Sequence, residues 1–239
     1  MSDIFQIANI GLIDTRQRLE SISMNAASAS LTGYRRHVVT GRAFDAALAT
    51  TPVADVSSPV TQQVDLQRGA LQATGRPLDL AIETDNAFFA LTDGDQTWLT
   101  RAGDFRLNQD GVLVGERGLR VVGAQGDLHL PASGDLQIAA DGSITHDGLQ
   151  VGAVQLFKPL DRLSLQAATG SLLLAPAGTE PLAASDVRLR SGTLEASNTD
   201  AGREMLGLMS LSRQFESLSR VVQSYDDVLG RAIQKLGEV

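Results

Sequence analysis

The sequence predicts an α+β fold: N- and C-terminal helices pairing as an antiparallel coiled coil, with a central antiparallel β-rich domain of barrel or sandwich type. Three observations lead there. Near the start, Phe5, Ala8, Leu12, Thr15, Leu19, Ile22, Ala26 and Ala29 recur at alternating gaps of three and four. Near the finish, Leu208, Leu211, Phe215, Leu218, Val222, Tyr225, Leu229, Ala232 and Leu236 do the same. Such spacing puts each set on one helix face and leaves that face needing a partner. Between the stripes, short apolar runs are cut by turn signals every 8–12 residues or so, the rhythm of an antiparallel sheet.

Residues 3–30 read as the first helix, with Ser2 or Asp3 able to cap its start. Gly11 weakens it by about 1 kcal/mol relative to Ala, but permits close approach of another backbone. The segment Leu31-Thr32-Gly33-Tyr34-Arg35-Arg36 breaks the helix, and Gly33 suits left-handed geometry. Residues 37–62, with Gly41, Pro52 and Pro59, read as a connector. Strands follow at Leu78 to Glu83, Ala87 to Thr92 and Thr97 to Arg101, the last two joined by the turn Asp93-Gly94-Asp95. Asp110-Gly111 and Asp141-Gly142 are hairpin signals between alternating segments. Val151 to Lys158 is another strand, residues 159–185 read as an irregular excursion, and Val187 to Leu194 as a last strand. Residues 199–236 form the second helix, with Ser197, Asn198 and Thr199 as candidate caps. At 1.5 Å per residue that helix spans roughly 57 Å, so part of it projects unless it bends. The domain division is therefore 1–36 plus 196–239 for the helices, 37–62 for the connector and 63–195 for the β-domain.

Two packings suit the stripes: each helix on its own sheet, or helix on helix. The strict three-four alternation favours the second. The N-terminal seam is thin, so both termini are expected to fold fully only on assembly.

A net charge of −8 argues against nucleic acid, and the Arg35-Arg36 pair is no phosphate-binding stripe. The absence of cysteine excludes disulfides and thiolate metal sites. No run approaches the about 20 apolar residues of a membrane span, so direct membrane insertion is not expected. No basic start followed by an apolar block marks a cleaved secretory signal. The segment from Asp104 has a calcium-loop flavour, but Arg106 stands where an oxygen ligand belongs, so a hairpin turn is the reading. Nucleophile elbows, zinc motifs and phosphate loops are absent. No cofactor, metal or catalytic residue is expected, and Trp98 and Tyr34 read as packing residues. Two competing classes remain. One is a hydrolase with spatially paired carboxylates and a helical dimerisation handle; the other is a phage-tail or surface β-protein.

Three segments together resemble the flagellar basal-body rod and hook proteins of bacteria. The first runs from Ile22 through Asn25 and Ala27 to Thr32-Gly33-Tyr34-Arg35, although Met24, Ser28 and Ser30 stand where the family has asparagine. The second is Arg76-Pro77-Leu78-Asp79-Leu80, Phe88-Phe89, Thr100-Arg101-Ala102-Gly103-Asp104-Phe105 and Asp110-Gly111-Val112-Leu113-Val114 in that order. The third is Gly192-Thr193-Leu194-Glu195-Ala196-Ser197-Asn198, then Arg213-Gln214-Phe215-Glu216. Length and the short connector lean toward the proximal type of rod subunit, with the distal type or a hook-type paralogue as the alternative. The resemblance implies a structural, non-enzymatic subunit that stacks helically into the torque-carrying rod around an export channel. Its implied partners are copies of itself, other flagellar rod proteins, the surrounding ring (bushing) proteins and the flagellar type III export apparatus. Its implied place is the periplasmic part of the basal body, reached without a cleaved signal. The expected assembly interface is Phe5, Ala8, Leu12, Leu19, Ile22, Leu208, Leu211, Phe215, Leu218, Val222, Tyr225 and Leu229.

Overall fold

The computed structural model describes residues 2–40, 61–131, 134–161, 164–176 and 178–237. Most of the predicted connector, residues 41–60, lies outside them. The chain divides into two compact units. One contains the two helices and the strand at His37; the other contains Ser28–Arg36 and Gln63–Thr199.

In the first unit, α1 spans Ser2–Ala27 and α2 spans Ala201–Gly237, and the two pack against each other. Packing is close because small residues line the contact. A Cβ at Gly207 would stand 3.2 Å from Ile22 Cδ1, so the bare glycine makes room for the isoleucine. On α1, Gly11 and Thr15 are buried, and the Thr15 hydroxyl donates to the Gly11 carbonyl at 2.7 Å. The helix ends at Ala27 rather than near residue 30, because residues 28–31 close a turn in which Leu31 N–H donates to the Ser28 carbonyl.

The strand His37–Thr40 is fastened to α1 by Asn25. The Asn25 amide accepts from His37 N–H and donates to the His37 carbonyl, both at 2.8 Å, and Ser21 Oγ donates to the same carbonyl at 3.0 Å. Burial lowers the pKa of the His37 ring, so this packing favours the neutral imidazole.

The start of α2 corrects the expected cap. Asp200, not Ser197, Asn198 or Thr199, holds the first turn: its Oδ1 accepts from Gly202 N–H at 2.9 Å and Arg203 N–H at 3.2 Å. Asp200→Ala is expected to cost about 1 kcal/mol, read as an earlier loss of helical circular dichroism on heating.

The second unit is β-rich. Among the described residues its main sheet has ten strands, paired antiparallel. The hub is Phe88–Thr92, which pairs along one edge with Thr97–Thr100. Along its other edge it takes two short partners, Leu156–Pro159 near its start and Arg120–Gly123 near its end. Both faces of the hub are covered, which is why Ala87-Phe88-Phe89-Ala90-Leu91 reads as an unbroken apolar run. Phe89 and Leu91 join a core with Leu80, Phe105, Leu113 and Leu156, where the Phe89 and Phe105 rings meet edge to face at 4.9 Å. Phe88, Ala90 and Leu99 face a second cluster with Leu165 and Leu173.

The hairpins signalled by Asp93-Gly94, Asp110-Gly111 and Asp141-Gly142 are present: Phe88–Thr92 with Thr97–Thr100, Arg106–Leu107 with Leu113–Val114, and Leu136–Ile138 with Ser143–His146. Three expectations fail. No closed barrel is found among the described residues, because the hub's second edge is shared by two short strands and the sheet branches instead of closing. The stretch 159–185 is not merely irregular. Leu172–Leu174 pairs with Thr97–Thr100, and Thr179–Pro181 pairs with Leu156–Pro159. Strands this short, with consecutive leucines buried on both sides, show no period in the sequence. The predicted last strand is also split at Gly192 into Leu189–Ser191 and Thr193–Glu195, which pair with different partners.

Candidate functional site

Two motifs far apart in sequence meet inside the β-unit: residues 32–36, which follow α1, and 193–199, which precede α2. Thr193–Glu195 pairs antiparallel with Leu71–Ala73. On its other side the Glu195 carbonyl accepts from Gly33 N–H at 2.7 Å. Gly33 has φ of +65° and lies so close to the 101–102 peptide that a Cβ would stand 2.1 Å from Ala102 N. Both the turn geometry and the contact require glycine there.

Asn198 extends the junction. Its Oδ1 accepts from Arg36 N–H at 2.7 Å, and its Nδ2 donates to the carbonyls of Asp65 and Gln67, both at 3.0 Å. One side chain thus joins three chain segments.

At the centre is Glu195, whose side chain is fully buried. Its Oε1 accepts from Arg35 Nη2 and, at 3.0 Å, from Gly69 N–H. Its Oε2 accepts from Arg101 Nε at 2.9 Å and lies 2.8 Å from Arg101 Nη2. Arg101 spends its remaining donors on backbone carbonyls of Ile82, Thr84 and Ala87. Burial draws its pKa down to about 10, opposed by the Glu195 charge, so it stays protonated at neutral pH. A carboxylate saturated by four donors and closed to water has no lone pair free to take a proton from a substrate. The cluster holds structure and does not perform acid–base chemistry.

The other residues singled out in the sequence fall as follows. Tyr34 is buried, Thr32 and Leu194 are half-buried, and Ser197 Oγ accepts from Thr199 N–H. Asn25 works in the helical unit, on His37. On the helices, Leu12, Leu19, Ile22, Leu208, Leu211, Leu218, Val222 and Tyr225 are half-buried, while Phe215 is exposed. The side chains of Phe5, Ala8 and Leu229 lie outside the described residues. Sequence reasoning missed the roles of Arg101 and Gly69. An arginine directly following the apolar strand Thr97–Thr100 was the available signal for the first.

A junction stapled by buried charge, next in the chain to two long helices, defines a structural subunit rather than an enzyme. Residues 81–146 match the family described as flagellar hook protein FlgE/F/G D1 domain, and residues 190–235 match flagellar basal body rod FlgEFG protein C-terminal. The chain is 31% identical to the flagellar basal-body rod protein FlgF of Mesorhizobium japonicum, over 99% of each chain. It is 32% identical to FlgF of Escherichia coli over 89% of each, and 30% identical to FlgG of Bacillus subtilis over 92% of this chain and 93% of that one. The chain belongs to the flagellar basal-body rod protein family, as a structural subunit of the FlgF type. The hydrolase alternative falls with that membership.

Proposed function

We propose that this chain polymerises helically through its terminal helices in the proximal rod, completing the axial shaft that carries torque and encloses the export channel. The observation that carries this is a set of exposed apolar side chains on α2. Met205, Leu206, Met209, Val221 and Val228 are each more than half exposed. At 3.6 residues per turn they fan across the half of the helix turned away from Leu208, Leu211, Leu218 and Val222. Arg213, Glu216 and Arg220 share that side, so it is a mixed face whose exposed apolar side chains are suited to cover by neighbouring helices. On this reading α1 and α2 form an antiparallel coiled coil, as part of a helical domain of residues 1–36 plus 196–239 distinct from the β-domain of residues 63–195. Copies of the chain and other rod proteins cover the outward face. Ring proteins surround the shaft, the type III apparatus delivers the chain to the periplasm without a cleaved signal, and the helices order fully on assembly.

The test replaces one residue on each face. Met209→Asp is expected to leave thermal unfolding of the purified chain unchanged while abolishing incorporation into basal bodies and swimming, because a charge would be buried unpaired in the assembly. Leu218→Asp is expected to loosen the helix pair as well. Normal swimming with Met209→Asp overturns the assignment of that face to assembly.

A further inference from the structure

Arg35 and Arg101 both face Glu195, but they are not equivalent. Arg101 places its guanidinium donors on Glu195 and three carbonyls. Arg35, only 3% exposed, places Nη2 on Glu195, while its Nε and Nη1 are buried with no hydrogen-bond partner among the described residues. Glu195 does not need the second cation: Arg101 neutralises it, and Gly69 N–H also occupies Oε1. Burying an extra guanidinium with orphaned donors opposes folding. Buried polar groups of this kind are retained in some proteins because they specify one arrangement rather than because they stabilise it.

We propose that Arg35 is a positioning residue. Acting through Glu195, it pins the incoming segment 31–36 onto the outgoing strand 193–195, and the β-unit is no more stable for its presence. Its place in the chain gives it leverage, since the first segment follows α1 and the second precedes α2. Three backbone or amide bonds also join segment 31–36 to residues 193–198: Gly33 N–H to the Glu195 carbonyl, Arg36 N–H to Asn198 Oδ1 and Asn198 N–H to the Tyr34 carbonyl at 3.4 Å.

The experiment uses the purified full-length chain with two variants. Arg35→Met keeps the stem and removes the donors. It is expected to leave the unfolding temperature unchanged or raise it by about 2–4 °C, while amide exchange at Gly33 and Arg36 accelerates at least about tenfold. Arg35→Lys supplies a compact ammonium that can direct its donors at Glu195 without the guanidinium's fixed spread. It is expected to keep both the unfolding temperature and the slow exchange. A fall of more than a few degrees in Arg35→Met, or failure to fold, would make Arg35 a stability element and overturn the proposal. Unchanged exchange at Gly33 and Arg36 would overturn it equally. Neither readout depends on rod assembly, so this result and the functional reading stand or fall separately.

Discussion

Glu195→Ala is expected to be among the most damaging single substitutions in this chain, lowering the free energy of unfolding by about 3–5 kcal/mol. The native carboxylate is fully buried and is the shared acceptor for two buried guanidiniums. Truncation leaves both cations without a counter-ion, strands Gly69 N–H and opens a cavity. A typical domain has only about 5–15 kcal/mol in total, so the loss is a large share of what holds it folded. Urea unfolding of the purified chain measures it directly. The contrast with Arg35→Met is the diagnostic part: one partner of the cluster is indispensable and the other is dispensable to stability. A loss below about 1 kcal/mol for Glu195→Ala would mean that water or a rearranged side chain replaces the carboxylate, and the charge-staple account would fail.

Gly33→Ala comes second. Alanine at φ of +65° costs about 1–2 kcal/mol in local conformation alone. The added Cβ would then meet Ala102 N at 2.1 Å, and this neighbour is backbone that cannot rotate aside. The incoming segment must therefore lift away, breaking the Gly33 N–H bond to the Glu195 carbonyl. A total of about 3–4 kcal/mol is expected, together with loss of swimming in a strain carrying only this copy. Gly75→Ala separates the two causes. Gly75 has φ of +75° with nothing within 4 Å of its would-be Cβ, so only the conformational part is expected there. Equal losses at the two glycines would refute the close-contact explanation.

Both positions show what could be read in advance. Gly33 was recognisable as a glycine needing left-handed backbone, because a helix stripe ends just before it. Its deeper constraint, contact with the 101–102 peptide, involves a neighbour about 70 residues away that no local pattern reports. Glu195 was quoted as part of a motif, yet nothing in the chain's order says that its partners are Arg35 and Arg101. The cap of α2 shows the same limit at short range. Ser197, Asn198, Thr199 and Asp200 all have suitable oxygens, and tertiary demand sorted them: Asn198 is taken by Arg36, Asp65 and Gln67, leaving Asp200 at the helix.

By itself, then, the order of residues determined the two terminal helices, the hairpins at the Asp-Gly turns, the β-rich middle and the absence of any familiar catalytic motif. These follow from interactions within a few residues: helical spacing, alternation and turn chemistry. The tertiary structure decided which short strands pair, that the sheet branches at Phe88–Thr92 instead of closing, and that Arg35, Arg101 and Glu195 share one buried site. Those outcomes depend on which distant surfaces exclude water together and which buried charges must find partners, and that competition is settled only when the whole unit packs.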